Sequence, residues 1–165
     1  MIEVIDDGEW IRPALDPSAL DLAYFEAAAE GRLIVQRCDS CDHRQFPPKT
    51  LCTNCGATPG WMQTAGVGEI HTFTVVRRHG VEPFRSMAPF ILAMIDLPEG
   101  ARLMGNVVVA DPEVVRVGDP VEAYALRIDA RMALPLWRTP GLELTGGPDG
   151  PDMVVGIDAA GDSRP

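Results

Sequence analysis

The only cysteines of the chain form two matched pairs, Cys38-Asp39-Ser40-Cys41 and Cys52-Thr53-Asn54-Cys55, with ten residues between them. A C-x-x-C spacing lets both sulfurs of a tight knuckle face one ion at about 2.3 Å, and two knuckles supply the four-sulfur set that zinc accepts. Cys38, Cys41, Cys52 and Cys55 are therefore read as ligands of one structural Zn2+, with iron in the same thiolate cage as the remaining alternative. Four sulfurs leave no open position for water or substrate. The ion is expected to fold the segment, a step worth roughly 10–16 kcal/mol in small zinc peptides, and not to catalyse. Two disulfides would need an oxidising compartment, and a redox C-x-x-C normally stands alone beside a βαβ unit. The acidic start, Met1-Ile2-Glu3-Val4-Ile5-Asp6-Asp7, lacks the apolar run of a secretion signal, and no stretch approaches a membrane span. A cytoplasmic protein with reduced thiols is expected.

With 165 residues the chain has room for one hydrophobic core with a ribbon attached, and too little for two ordinary domains. The net charge of -10 is unevenly spread: residues 1–30 carry eight acids against Arg12, residues 141–165 carry five against Arg164, and 31–140 is near neutral. Thirteen of the fourteen basic residues are arginine, beside abundant Ala, Gly and Pro. All four have GC-rich codons, so base composition explains the arginines without a role in phosphate binding.

Four segments follow from the pattern. Residues 1–31 read as an acidic arm and a helix, which begins at Ser18 with Asp21 in a capping-box arrangement. Leu22, Phe25, Ala28 and Ala29 are expected to form its apolar stripe, with Glu26 and Glu30 towards the other side. The helix packs either on its own domain or on a partner. Residues 32–60 are the zinc ribbon, a three-stranded unit entered by the strand Arg32–Arg37. Residues 61–140 read as five short antiparallel strands at 66–76, 90–97, 101–109, 121–127 and 132–138. In the first of these, Ile70, Thr72, Thr74 and Val76 are expected on one face, with His71, Phe73 and Val75 on the other. The fold class is mainly β: helix and ribbon, then a five-stranded Greek-key barrel of the OB type. Residues 141–165 are expected to be a flexible acidic tail, whose patch Met153-Val154-Val155-Gly156-Ile157 is the one candidate for docking on a neighbour.

Catalytic machinery is thin. No Gly-x-Ser-x-Gly elbow, His-Glu-x-x-His helix or P-loop is present, and Gly66-Val67-Gly68 lacks the third glycine of a dinucleotide fingerprint. His43 lies in the ribbon, where four sulfurs already satisfy zinc; His71 is read as a half-buried strand residue and His79 as a loop residue. No residue is assigned a catalytic role. Binding is more accessible to the sequence: Arg77, Arg78 and His79 lead into the loop 80–89, where basic side chains at a barrel mouth would attract a phosphate-bearing ligand and Phe84 and Met87 add an apolar component. A solvated loop is the plain alternative. A nucleic-acid-binding ribbon and OB module is the competing class. It calls for a basic groove with stacking aromatics, whereas this barrel is near neutral, the arms repel phosphate and the chain is 6% aromatic.

Taken in order, Tyr24-Phe25-Glu26, Gly31-Arg32-Leu33, Gln36-Arg37-Cys38-Asp39-Ser40-Cys41, Gln45-Phe46-Pro47-Pro48, Cys52-Thr53-Asn54-Cys55-Gly56, the run Gly68–Val76 and Val117-Gly118-Asp119-Pro120-Val121-Glu122 carry a resemblance. The sequence resembles the bacterial and archaeal acyl-CoA-associated proteins that join an N-terminal helix and rubredoxin-like zinc ribbon to an OB-fold, over about residues 22–138. One departure is Asp42, where the family usually has glycine, and a distorted turn is expected there. The resemblance implies a non-catalytic auxiliary subunit of a thiolase or thiolase-like complex, acyltransferase or aldolase, in acyl-CoA metabolism, including steroid and aromatic degradation. The partner would carry the catalytic residues, and the small subunit would stabilise it and help form the CoA or acyl-CoA site. Under that implication Arg77 and Arg78 become candidate CoA phosphate contacts, with no nucleic acid and no membrane among the partners.

Overall fold

Strand pairing closes the second half of the chain into a barrel. The computed structural model describes residues 1–6, 12–144, 146–147 and 150–151. The elements in chain order are β1 (Glu3–Ile5), α1 (Ala19–Ala29), β2 (Ile34–Arg37), β3 (Arg44–Gln45), β4 (Gly60–Gln63), β5 (Val67–Val76), β6 (Phe90–Asp96), β7 (Arg102–Val108), β8 (Pro120–Arg127), β9 (Ala133–Arg138), β10 (Gly146–Gly147) and β11 (Gly150–Pro151). The barrel runs β5-β6-β7-β9-β8 and returns to β5. Four of its five junctions are antiparallel; β7 and β9 pair in parallel at Val107↔Trp137 and Val108↔Arg138, where an all-antiparallel set was expected. That one parallel junction lets the last strand close the ring, as an OB barrel requires.

The face assignment of β5 is corrected by a bulge between Ile70 and Thr72. One extra residue shifts the period-two alternation by one. Ile70 is buried, and beyond the bulge Phe73 and Val75, not Thr72 and Thr74, pack against the same core. His71 occupies the bulge and is exposed, where a half-buried position was expected. Ile70 keeps its ladder through a hydrogen bond from its N–H to the Asp119 carbonyl at 3.0 Å and one from the Gly118 N–H to its own carbonyl at 2.8 Å.

The barrel interior, with Ile91, Ile95, Leu103, Val121 and Trp137, is continuous with Leu33, Ile34 and Val35 of the ribbon and with Tyr24, Ala27 and Ala28 of α1. The ribbon therefore shares the core. Tight packing sets its details: a Cβ at Gly105 would sit 2.7 Å from Cδ1 of Trp137, so only glycine lets the ring lie flat on β7. The buried face of α1 is Tyr24, Ala27 and Ala28, with Leu22, Phe25 and Ala29 only half-buried, which displaces the expected stripe. The helix sits in a corner between β2 on one side and β8 and β9 on the other, so two alanines face the close approach and the Tyr24 ring packs against Phe46 with centroids 4.9 Å apart and planes tilted by 52°. Ser18 caps it, accepting from the Asp21 N–H at 3.3 Å. Arg131 bonds Glu26, and Arg127 donates to the Ala29 carbonyl at 3.3 Å, so α1 is fastened to its own chain.

Residues 3–5, read from composition as part of an acidic arm, add a parallel strand to β8. Arg138 holds them there by ion pairs to Glu3 at 2.8 Å and Glu122 at 2.7 Å. On the opposite face of β8 from the barrel interior, Tyr124 and Leu126 join Phe90, Val108 and Leu136, and this layer is covered by Phe84 and Met87 of the loop and by Leu142 and Leu144. The loop 80–89 is thus partly folded onto the barrel. The patch Met153–Ile157 lies outside the described residues. Among the described residues no helix is long and apolar enough to cross a membrane.

Candidate metal centre

Strand β2 runs straight into the first knuckle, and β3, β2 and β4 form the expected three-stranded ribbon. The two knuckles repeat each other bond for bond. The Asp42 N–H donates to the Cys38 carbonyl at 2.8 Å as the Gly56 N–H does to Cys52 at 2.9 Å; Cys38 N–H donates to His43 at 2.9 Å as Cys52 N–H does to Ala57 at 2.7 Å. Each knuckle ends on a left-handed residue, Asp42 at φ 60° and Gly56 at φ 76°. Glycine takes that conformation freely and aspartate is among the few side chains that tolerate it. The distortion expected at Asp42 is absent: the turn keeps the same two backbone hydrogen bonds as the one at Gly56, and the carboxylate pairs with Arg37 at 2.6 Å and Arg44 at 2.7 Å. The Arg37 hydrogen bond keeps that carboxyl below the usual aspartate range.

The geometry brings Cys38, Cys41, Cys52 and Cys55 together, with all four Sγ atoms within 4.8 Å of one another. Cys38 lies 3.5 Å from Cys55 and Cys41 3.7 Å from Cys52, each contact crossing between knuckles. A tetrahedron of bonds about 2.3 Å long has edges of about 3.8 Å, so the donor set fits one tetrahedral ion. These distances are far beyond a disulfide bond of about 2.05 Å. Hydrogen bonds from the Asn54 side chain and the His43 backbone lower the Cys41 thiol to about 6. Cys55 goes the other way: the Ala57 backbone favours its thiolate, but the sulfurs of Cys41 and Cys38 outweigh it and push it up to about 12. Sulfurs this close cannot all hold negative charge unaided, and a cation between them removes the conflict.

Two buried amides that the sequence reading did not single out hold the second knuckle in place. Gln36 and Gln45 are 2% and 7% exposed. The Gln36 Oε1 accepts from the Lys49 N–H and from Gln45 Nε2, both at 2.8 Å, and its Nε2 donates to the Lys49 carbonyl at 3.0 Å. Gln45 Oε1 accepts from the Thr53 N–H at 2.9 Å, and its Nε2 also donates to the Leu51 carbonyl at 3.3 Å. The available signal was a Gln directly after the apolar run Leu33-Ile34-Val35, two residues before the first ligand. His43 stands aside from the sulfurs and is hydrogen-bonded to Thr53 Oγ1 at 3.1 Å.

Residues 25–59 match the family described as ChsH2, rubredoxin-like zinc ribbon domain, and residues 61–126 match ChsH2, C-terminal OB-fold domain. A DUF35 domain-containing scaffold protein of Methanocaldococcus jannaschii is 37% identical over 100 residues, which cover 58% of this chain and 69% of that protein. The chain belongs to the ChsH2 (DUF35) family. A chain solved as part of an "Ltp2-ChsH2(DUF35) aldolase" is 32% identical with a TM-score of 0.66, covering 78% of this chain and 98% of that one. A probable enoyl-CoA hydratase alpha subunit of Thermomonospora curvata is 34% identical over 77% of this chain. The 3-oxo-4,17-pregnadiene-20-carboxyl-CoA hydratase alpha subunit of Mycobacterium tuberculosis is 28% identical over 72%. The chain spans 39% and 37% of the lengths of those two subunits.

The other candidates of this ChsH2-type chain lie on the barrel, away from the sulfurs. Arg77 and Arg78 are exposed beyond the end of β5, and Arg77 is paired with Glu113 at 2.6 Å. Among the described residues Arg78 makes no ion pair within 4.0 Å. His79 is hydrogen-bonded within its loop, Nδ1 to the Val81 N–H at 3.3 Å. His71 lies 3.0 Å from Asp96, whose carboxyl is held below its usual range chiefly by the hydrogen bond from Arg102.

Proposed function

We propose that this chain is a non-catalytic auxiliary subunit of a thiolase-type complex, acyltransferase or aldolase, acting on acyl-CoA substrates in the cytoplasm. The observation that carries the reading is the match to the ChsH2 chain of an aldolase over 98% of that chain, ribbon and barrel together. The hydratase alpha subunits among the relatives point to the same CoA-thioester chemistry, and the pregnadiene carboxyl-CoA relative makes a steroid or related polycyclic acyl chain the finer proposal. Cys38, Cys41, Cys52 and Cys55 would hold Zn2+ as a structural ion that fixes the two knuckles.

Within the shared site, Arg78 is the candidate contact to CoA phosphate, with Arg77 beside it already engaged by Glu113. The test is a tagged pull-down from the native organism, with partners identified by mass spectrometry and metal quantified in the same sample. A thiolase-like protein with one zinc per chain supports the reading; nucleic acid or ribosomal proteins in its place would overturn it. In the recovered complex Arg78→Ala should raise KM for acyl-CoA several-fold, on the order of one lost charge-assisted contact, with kcat little changed.

A further inference from the structure

The two knuckles repeat each other in hydrogen bonding and differ in exposure. Cys38 and Cys52, the first cysteine of each, are 1% and 3% exposed. Of the second cysteines, Cys41 is half-buried and Cys55 is exposed, in a tip whose residues 53–56 are all exposed. The sulfur contacts cross between knuckles and pair an inner with an outer cysteine: Cys38 with Cys55 at 3.5 Å and Cys41 with Cys52 at 3.7 Å. An accessible sulfur with a shielded one at hand is the arrangement in which an oxidant reaches the first and the second resolves it.

A bond between these sulfurs and the ion exclude each other. A tetrahedral set holds its sulfurs about 3.8 Å apart, whereas a disulfide draws two of them to about 2.05 Å. Closing Cys38 on Cys55 therefore leaves only Cys41 and Cys52 as ligands, half of a structural set. We propose that the ribbon is a peroxide-sensitive switch, in which Cys55 is the sulfur oxidised, Cys38 the sulfur that resolves it, and release of the ion the result. The Cys55 thiolate attacks one oxygen of hydrogen peroxide, the O–O bond breaks, and hydroxide leaves as Cys55 becomes a sulfenic acid. The Cys38 thiolate then attacks the Cys55 sulfur; the S–S bond forms, the S–O bond breaks and a second hydroxide leaves. Two thiolates, one peroxide and two protons thus become one disulfide and two waters, with two electrons passing from the sulfurs to the O–O bond. A dithiol reductant reverses the bond and restores the ligand set. Because the bond joins the same two knuckles as the ion, the oxidised ribbon stays cross-linked where a chelated one opens. Gln36 and Gln45 take no part in the oxidation and keep their hold on residues 49–53. The inference rests on the ion proposed for this site and is independent of the partner.

The test adds hydrogen peroxide stepwise to the zinc-loaded full-length chain and reads released metal with a chromogenic chelator. One peroxide should release one zinc, and a dithiol with added zinc should restore the bound metal. In the oxidised chain, cleavage before Asp39 separates Cys38 from Cys41, and fragmentation in the mass spectrometer separates Cys52 from Cys55, so the linkage is read directly. The expected product carries the Cys38–Cys55 bond and resists proteolysis between residues 38 and 55, unlike the chelated, reduced chain. Cys55→His, which keeps a set of three sulfurs and a ring nitrogen, should hold zinc and lose it to peroxide several-fold more slowly. Cys41→His, with Cys38 and Cys55 intact, should lose it as fast as the parent chain. If the histidine variants take up no zinc, the linkage in the parent chain decides alone. A first bond within a knuckle, a first bond between Cys41 and Cys52, or oxidation to sulfinic acid without a disulfide overturns the switch and leaves the proposed function standing. A parent chain that takes up no zinc overturns the ion and the switch together.

Discussion

The ribbon buries two glutamines and two of its four thiols where the barrel buries isoleucine, leucine and tryptophan. Both regions are made of short strands, and β3 of the ribbon has only two residues. The barrel needs no special chemistry, because five strands close on one another and every backbone edge inside the ring finds a partner. The ribbon has too little apolar side chain on its outer side to order residues 47–55, so it uses directional interactions: an amide pair on β2 and β3, and four sulfurs aimed at one point. Directional interactions fix a geometry, whereas apolar burial tolerates shifts.

The largest break in that comparison is Cys52→Ser. Losing one of four ligands, where binding is worth roughly 10–16 kcal/mol in zinc peptides, should release the metal and unfold the ribbon. Because Leu33, Ile34 and Val35 of the ribbon belong to the common core, the barrel should melt earlier as well, while retaining its β signal. Metal content, proteolysis between residues 38 and 55, and circular dichroism check this together, and a chelator should reproduce it. An intact partner complex from this variant would refute the scaffold role of the metal. Trp137→Ala is the matching break in the barrel. It should destabilise by about 3–5 kcal/mol through the cavity left over Gly105, read as a melting shift with the metal retained.

The same contrast decides what the sequence reveals. The cysteine spacing defines the ribbon because metal ligation is a short-range constraint written in four residues, and the barrel strands stand out because β-branched and aromatic residues cluster between turns. The face of β5 beyond Ile70 is not legible, since the bulge at His71 is set by the pairing of Ile70 with Asp119 and Gly118, far along the chain. The stripe of α1 fails for the same reason: a helix wedged between two bodies buries the residues that face their junction, which periodicity alone does not locate. Gln36 and Gln45 pass unnoticed because a buried amide looks like a surface one until its partners, residues 49–53, are folded around it. Asp42 resembles a defect only until its turn is seen to repeat that of Gly56, in a conformation aspartate tolerates.

A sharper version of the comparison comes from the amide pair alone. Gln45→Leu keeps size and removes every side-chain hydrogen bond, leaving the Thr53 N–H and the Leu51 carbonyl without their Gln45 partner, while Gln36 keeps the Lys49 N–H. Each unsatisfied buried group costs about 1–3 kcal/mol. The cost falls on the second knuckle, so metal affinity should drop about 10–100-fold, as for other groups that orient ligands. Competition between the protein and a chromogenic chelator measures it. An affinity equal to that of the parent chain would mean that the sulfurs converge without the amides.

The smallest effects are expected where both regions use the same device, an exposed aspartate held by arginine: Asp42 by Arg37 and Arg44, and Asp96 by Arg102. Hydrogen bonds from Arg37 and Arg102 lower these two carboxyls. A depressed carboxyl contributes stability above its ordinary pKa and loses it as pH falls through the depressed value. Asp42→Asn, which keeps a residue able to hold φ 60°, and Asp96→Asn should therefore each lower the neutral-pH melting temperature by on the order of 1 °C. The difference from the parent chain should fade as pH is taken below the ordinary aspartate range, and also in high salt. Melting curves of the three proteins from pH 7 to pH 3 decide the matter. If Asp42→Asn alone is costly and stays so in acid, its carboxylate is shaping the left-handed turn of the knuckle, and the likeness between the two sites ends there.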